Sequence, residues 1–179
     1  MLIKGLAGLA MVLVMVAANA GVTFAAVSVP ADRIPTMAEA DKLFIAAVER
    51  EDGSALLLFD VWHGLHFLMT GKAFDTESLL GRAILGGQPM GGKGSKSPMR
   101  VMASEDVKAV SVALQGIKID DLKRRFNPQQ MERLLIHPAG IWLSERDEAL
   151  THVLGHFQPL VDFYSSAARN GHAVLLTIE

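Results

Sequence analysis

The stretch Asp60-Val61-Trp62-His63-Gly64-Leu65-His66-Phe67-Leu68-Met69-Thr70-Gly71 decides how the rest of the chain is read. It holds one of the two tryptophans and two of the six histidines in 179 residues. As a helix it opens at Asp60, an acidic N-cap, and closes at Gly71, which suits a left-handed C-terminal cap. Trp62, Leu65, His66 and Met69 then share one face, at spacings of about three and four residues. His63 falls on the side freer to meet solvent.

Outward from this helix, punctuation residues divide the chain. Upstream, Ala55–Phe59 is a short apolar run, a buried strand or the lead-in to the helix, and periodicity does not separate the two. Thr36-Met37-Ala38-Glu39 has the capping-box pattern and opens a helix to about Arg50. Val22–Val29 is rich in β-branched residues and reads as a strand stopped by Pro30. Downstream, Asp75 is placed to cap a helix over Thr76–Leu85 that ends at Gly86-Gly87. Gln88–Pro98 reads as a loop and Met99–Ala103 as a short strand. Ser104 starts a helix to about Gln115, Asp120 caps a short basic helix, and Asn127-Pro128 opens Pro128–Leu135. A long helix from about Glu145 to Asn170 follows, with a kink expected at Pro159, and Gly171 closes it. His172–Ile178 is a second strand. Strand, several helices, strand, with no internal repeat, predicts one compact α+β domain. Its small sheet includes both 22–29 and 172–178.

Length fits one domain, or one domain with a targeting segment. A net charge of −2 implies no general attraction to nucleic acid or to an anionic membrane. The absence of cysteine excludes disulfides, thiolate nucleophiles, iron–sulfur clusters and cysteine zinc sites. Residues 1–20 have one basic residue, Lys4, an apolar centre and a small-residue end, Ala18-Asn19-Ala20. That is the signal-peptide pattern and predicts export after cleavage near Ala20. No charge follows Lys4 until Asp32, so a retained membrane anchor is the second reading. A start at Met15, with a cytoplasmic product, is the third. Any membrane contact is expected only through this segment.

The segments together resemble the YfbM-like bacterial family, catalogued as DUF1877. The resemblance runs through almost everything after Ala20. It rests on Trp62-His63-Gly64-Leu65-His66-Phe67, Leu80-Gly81-Arg82-Ala83-Ile84-Leu85-Gly86-Gly87 and Leu122-Lys123-Arg124-Arg125-Phe126-Asn127-Pro128. Ile136-His137-Pro138 with Ile141-Trp142, His156-Phe157, Phe163-Tyr164 and Gly171-His172-Ala173-Val174-Leu175 complete it. It implies a single α+β domain, residues 21–179, and supplies no activity and no catalytic residue. The chain departs from the family in a shorter, more basic loop after Gly87 and in the segment before Gly21.

Several arrangements invite chemistry. His63 and His66 lie three apart and His152 and His156 four apart, spacings that two metal ligands on a helix can use. On a helical wheel, however, His152 and His156 oppose the apolar stripe while His66 sits with Trp62, so no metal is expected. A half-buried His66 donating to a backbone carbonyl accounts for that residue. In a hydrolase, His63 or His66 would act as base, Asp60 as its orienter, and Thr70 or Ser78 as nucleophile, without a nucleophile elbow around either hydroxyl. Trp62, His66 and Trp142 are the candidate walls of a binding pocket. Gly87 to Lys93 has the spacing of a phosphate loop, but Gly94 stands where Ser or Thr must reach magnesium. Lys118 with Lys123, Arg124 and Arg125 is a short basic cluster read as a solvated face, with no nucleic-acid partner.

The leading reading is therefore a non-enzymatic binding or interaction domain without cofactor, whose partner the sequence does not identify, another protein being the candidate. The alternative is a small hydrolase or metal-dependent enzyme centred on the Trp-His-Gly-Leu-His helix.

Overall fold

A computed structural model describes residues 22–91 and 98–179. The leader expected at 1–20, and Lys93 and Gly94 of the phosphate-loop spacing, lie outside the described residues. Five antiparallel strands form an open sheet in the order β2-β1-β5-β4-β3. They are β1 (Phe24–Pro30), β2 (Ala55–Phe59), β3 (Gln88–Pro89), β4 (Arg100–Met102) and β5 (His172–Ile178). The two expected terminal strands thus lie side by side, with Phe24 opposite Ile178 and Pro30 opposite His172. Ala55–Phe59 is a strand, since the alternative lead-in would leave its backbone groups without β1.

Period-two alternation sends β1 and β5 to two different cores. Phe24, Ala26, Val174 and Leu176 enter the main core, whereas Val27, Val29, Ala173 and Leu175 face the other side. There they meet Ala40, Phe44 and Ala47 of α1 (Met37–Arg50). The capping box at Thr36 is present, with Glu39 accepting from the Thr36 amide. The remaining helices cover the first face: α2 (Trp62–Thr70), α3 (Leu79–Leu85), α4 (Ser104–Gln115), α5 (Ile119–Arg125) and α6 (Pro128–Arg133), then α7 (Ile141–Ser144), α8 (Asp147–Gly155) and α9 (Phe157–Arg169). Among the described residues no helix is long and apolar enough to cross a membrane.

Four boundaries differ from expectation. Asp60 is not the cap of α2: Val61 stands there, already in right-handed helical conformation, and its amide closes a turn onto Leu58. The chain leaves β2 through Phe59 at φ 41°, so the helix begins one residue too late for the Asp60 carboxylate to reach its amides. Asp75 does not cap α3 either. It accepts from the amides of Glu77 and Ser78, and that turn delivers Ser78 as the cap of a helix starting at Leu79. Asp120 is a helical residue, not a cap, which is Lys118, whereas α4 starts at Ser104 as expected. Finally, the single helix expected from about Glu145 to Asn170 starts at Asp147, after Arg146 (φ 39°), and is broken once, at His156. That break lies one turn before Pro159, which has no amide hydrogen to give Gly155 O, so the kink expected there is a break that leaves Pro159 in the first turn of α9.

Candidate functional site

Helix α2 is buried on every side, from Trp62 to Met69. It runs through the middle of the helical layer, against α3, α5 and α8. A helix enclosed in this way must satisfy its polar side chains internally. His63, expected toward solvent, is 4% exposed, and its ring bridges two loops. Nε2 donates to Ala73 O at 2.8 Å, and Nδ1 accepts from the His137 amide at 3.0 Å. Trp62 stacks on one side of the ring and Phe74 tilts against it on another. His66 is fully buried, not half-buried, and its Nε2 accepts from the Asp75 amide at 3.0 Å where donation to a carbonyl was expected. The proton of neutral His66 therefore sits on Nδ1, which has no partner among the described residues.

Burial outweighs these bonds in setting the protonation of the histidines, the bond to Ala73 O raising His63 only in part. Burial first, then the charge a neighbouring histidine would carry, lowers both imidazoles: His63 below its ordinary 6.5, and His66 to about 4. A second proton on either ring would also point its new N–H at an amide N–H. Asp75 is held at about 2, chiefly by the Ser78 amide and then by the Ser78 hydroxyl.

Trp62 donates its indole N–H to Val22 O, and Trp142 donates to Ile136 O. Trp142 lies over Gly64, where an added Cβ would come within 2.6 Å of the indole. The sequence-selected residues Trp62, His63, His66 and Trp142 are thus gathered around one helix. Asp60 is not a hydrogen-bond partner of either histidine. Thr70 returns its hydroxyl to His66 O, and Ser78 Oγ accepts from the Gly81 amide. His152 and His156 pack edge to face at the end of α8, with His152 exposed. Among the described residues no three His, Asp or Glu side chains are placed to hold a metal ion. The basic cluster is less free than its spacing suggests: Lys123 pairs with Asp120, Arg124 with Asp121, and Arg125 donates to Leu68 O and Met69 O at the end of α2.

The open space lies elsewhere. A cleft of about 530 Å³ is bounded by the end of α3, strand β4 and the start of α4, with Thr76, Glu77, Arg82, Gly86, Arg100 and Asp106 on its walls. No histidine or tryptophan lines it. Arg82 and Asp106 form an ion pair at 2.6 Å. Arg100 donates Nε to Gly86 O at 2.8 Å and Nη2 to Gly87 O at 3.0 Å. Gly87 has φ 83° and lies so close to Val101 that a side chain would strike the β4 backbone. In the sequence, Gly86-Gly87 reads as a helix end and as the start of the phosphate-loop spacing, and neither Arg82 nor Arg100 stands out as a site residue. The signal for them is weak, since the partner of Gly86 is 14 residues away on another element.

The domain of unknown function DUF1877 matches residues 39–177. No curated protein matches the chain. Among solved structures, the crystal structure of YfbM from Escherichia coli, a protein of unknown function, is similar to this fold. Its TM-score is 0.66 at 19% identity, covering 88% of this chain and 99% of that one. At that identity the likeness shows a shared fold. With the family matched over most of its length and the fold matched over 88% of it, the chain belongs to the YfbM-like DUF1877 family, whose function is unknown.

Proposed function

We propose that this protein is a non-enzymatic binding domain that takes another protein in the cleft between α3, β4 and α4. The observation that carries this reading is a contrast in commitment. The ring nitrogens of His63 and Nε2 of His66 are engaged with backbone groups in a closed core, whereas the charged cleft is open. A general base needs a free nitrogen within reach of substrate. A binding site needs a concave surface with a few convergent polar groups, and several hundred cubic ångströms is the usual scale. Site-specific photocrosslinking in the native host tests the reading. A photoreactive residue at Gln88, on the rim of the cleft, is expected to give a discrete protein adduct. The same residue at Gln158, exposed on α9, is expected to give none. No adduct from Gln88, or equal adducts from both positions, would overturn the proposal.

A further inference from the structure

We infer that the cleft recognises the free carboxyl terminus of a peptide chain whose last residue is apolar, an inference that rests on reading the cleft as the binding surface. Arg100 carries it. A guanidinium has five N–H donors in a rigid plane. Two of them, on Nε and on Nη2, form one edge of the fork, and here that edge is held by consecutive carbonyls, Gly86 and Gly87. The other edge, formed by Nη1 and the remaining hydrogen of Nη2, keeps two parallel donors. No carboxylate among the described residues pairs with Arg100, although Arg82 in the same cleft is paired with Asp106. A planar cation fixed on one edge and open on the other is preorganised for a bidentate carboxylate.

The walls choose among anions. Arg82 and Arg100 are balanced by Glu77 and Asp106, so a dianionic phosphate would meet two like charges. A monoanion with neutral amides behind it meets far less repulsion. Arg100 also borders a second, smaller cleft of about 140 Å³, whose other walls are Ile84, Leu85, Pro98, Leu176, Thr177 and Ile178. None of those is charged. A carboxylate on the open edge of Arg100 places the side chain of the same terminal residue within reach of this apolar recess, whose volume suits a Leu or Ile side chain. An internal Asp or Glu brings a carboxylate but no apolar group on the same residue.

The test is a titration of the full-length protein, followed by NMR at the Arg100 Nε–H and the Ile84 and Leu176 methyls. Three probes are compared: acetyl-Ala-Ala-Ala-Leu as the free acid, the same peptide as its C-terminal amide, and acetyl-Ala-Glu-Ala-Leu amide. The free acid is expected to shift all three resonances saturably, and both amides to bind at least tenfold more weakly. Arg100→Met should abolish the difference between acid and amide. Because that variant also leaves the Gly86 and Gly87 carbonyls without their donor, the comparison of the three peptides on the unchanged protein stands alone. Equal binding of acid and amide would overturn carboxylate recognition and leave the cleft as a binding surface. Equal binding of the free acid and the glutamate peptide would overturn recognition of the terminus. No shift from any of them at millimolar concentration would overturn the inference outright, while the crosslinking at Gln88 judges the binding domain separately.

Discussion

The backbone amide of His137 donates to Nδ1 of His63 at 3.0 Å, across 74 residues of chain. The opposite nitrogen of the same ring donates to Ala73 O. One imidazole thus fastens the loop after α2 and the loop after α6 to the central helix. His63→Ala should remove both bonds, leave a half-buried amide and carbonyl without their partner, and open a cavity beneath Trp62 and Phe74. Cavity formation and an unsatisfied backbone group act together here, so a loss of about 3 kcal/mol is expected. Urea unfolding should show a lower midpoint with an unchanged slope. A loss below about 1 kcal/mol would mean the ring is not a tie between the loops.

Acid should weaken the fold in a defined window. In the unfolded chain the two rings titrate near 6.5, whereas in the fold His66 is lowered to about 4 and His63 is lowered as well. A depressed folded value means the unfolded state binds more protons. The contribution is therefore complete above about pH 6.5, declines as pH falls toward 4, and levels off below that. The part due to His66 is about 3 kcal/mol. Asp75, at about 2 in the fold against 3.8, loses its contribution only below this window. Thermal unfolding between pH 7.5 and 4 should show the decline. His66→Gln keeps an acceptor for the Asp75 amide but cannot titrate, so its curve should be shallower. A wild-type melting temperature that holds constant down to pH 4.5 would contradict the assignment.

How much of this could be read from the residues depends on the range of the interaction. The strands at either end, the capping box at Thr36 and the closure of α2 at Gly71 are local patterns, and they stand where the sequence places them. Caps failed where a neighbouring turn competed: Asp60 sits beside the positive φ of Phe59, and Asp75 forms the turn that makes Ser78 the cap. The orientation of His63 was illegible because periodicity assumes one solvent face, and α2 has none. What turns that face inward is the amide of His137, which no window around residue 63 contains. The cleft was hidden for the same reason, as Arg100 becomes notable only once β4 brings it to the carbonyls of Gly86 and Gly87.

Gly64 is where α2 comes closest to Trp142. A Cβ there would lie 2.6 Å from Cη2 of the indole and 3.3 Å from Cγ2 of Val153. Trp142 is fully buried and its N–H is tied to Ile136 O, so the ring cannot retreat without breaking that bond. Gly64→Ala should therefore destabilise the domain by about 1–3 kcal/mol, even though alanine is the better helix former. Trp142→Phe removes the part of the ring that collides. The double substitution should lose less than the two single losses added together. Strict additivity in denaturant unfolding would mean that the two sites do not press on each other.

The cap assignments of α2 and α3 give opposite expectations for two residues that look alike in sequence. Asp60 precedes the first turn of α2 by one residue too many, accepts no bond from that helix, and belongs to no ion pair among the described residues. Ser78 accepts from the Gly81 amide at 3.1 Å and stands in extended conformation, as a cap must. Asp60→Ala should change stability by less than about 0.5 kcal/mol, within the range of an ordinary surface substitution. Ser78→Ala should cost about 1 kcal/mol. Ser78→Gly should recover most of that loss, because glycine tolerates the cap position and lets water reach the freed amide. Chemical denaturation of the three variants settles the order. If Asp60→Ala proved the costlier of the two alanine substitutions, the start of α2 would have to lie one residue earlier, with the Asp60 carboxylate over its first amides.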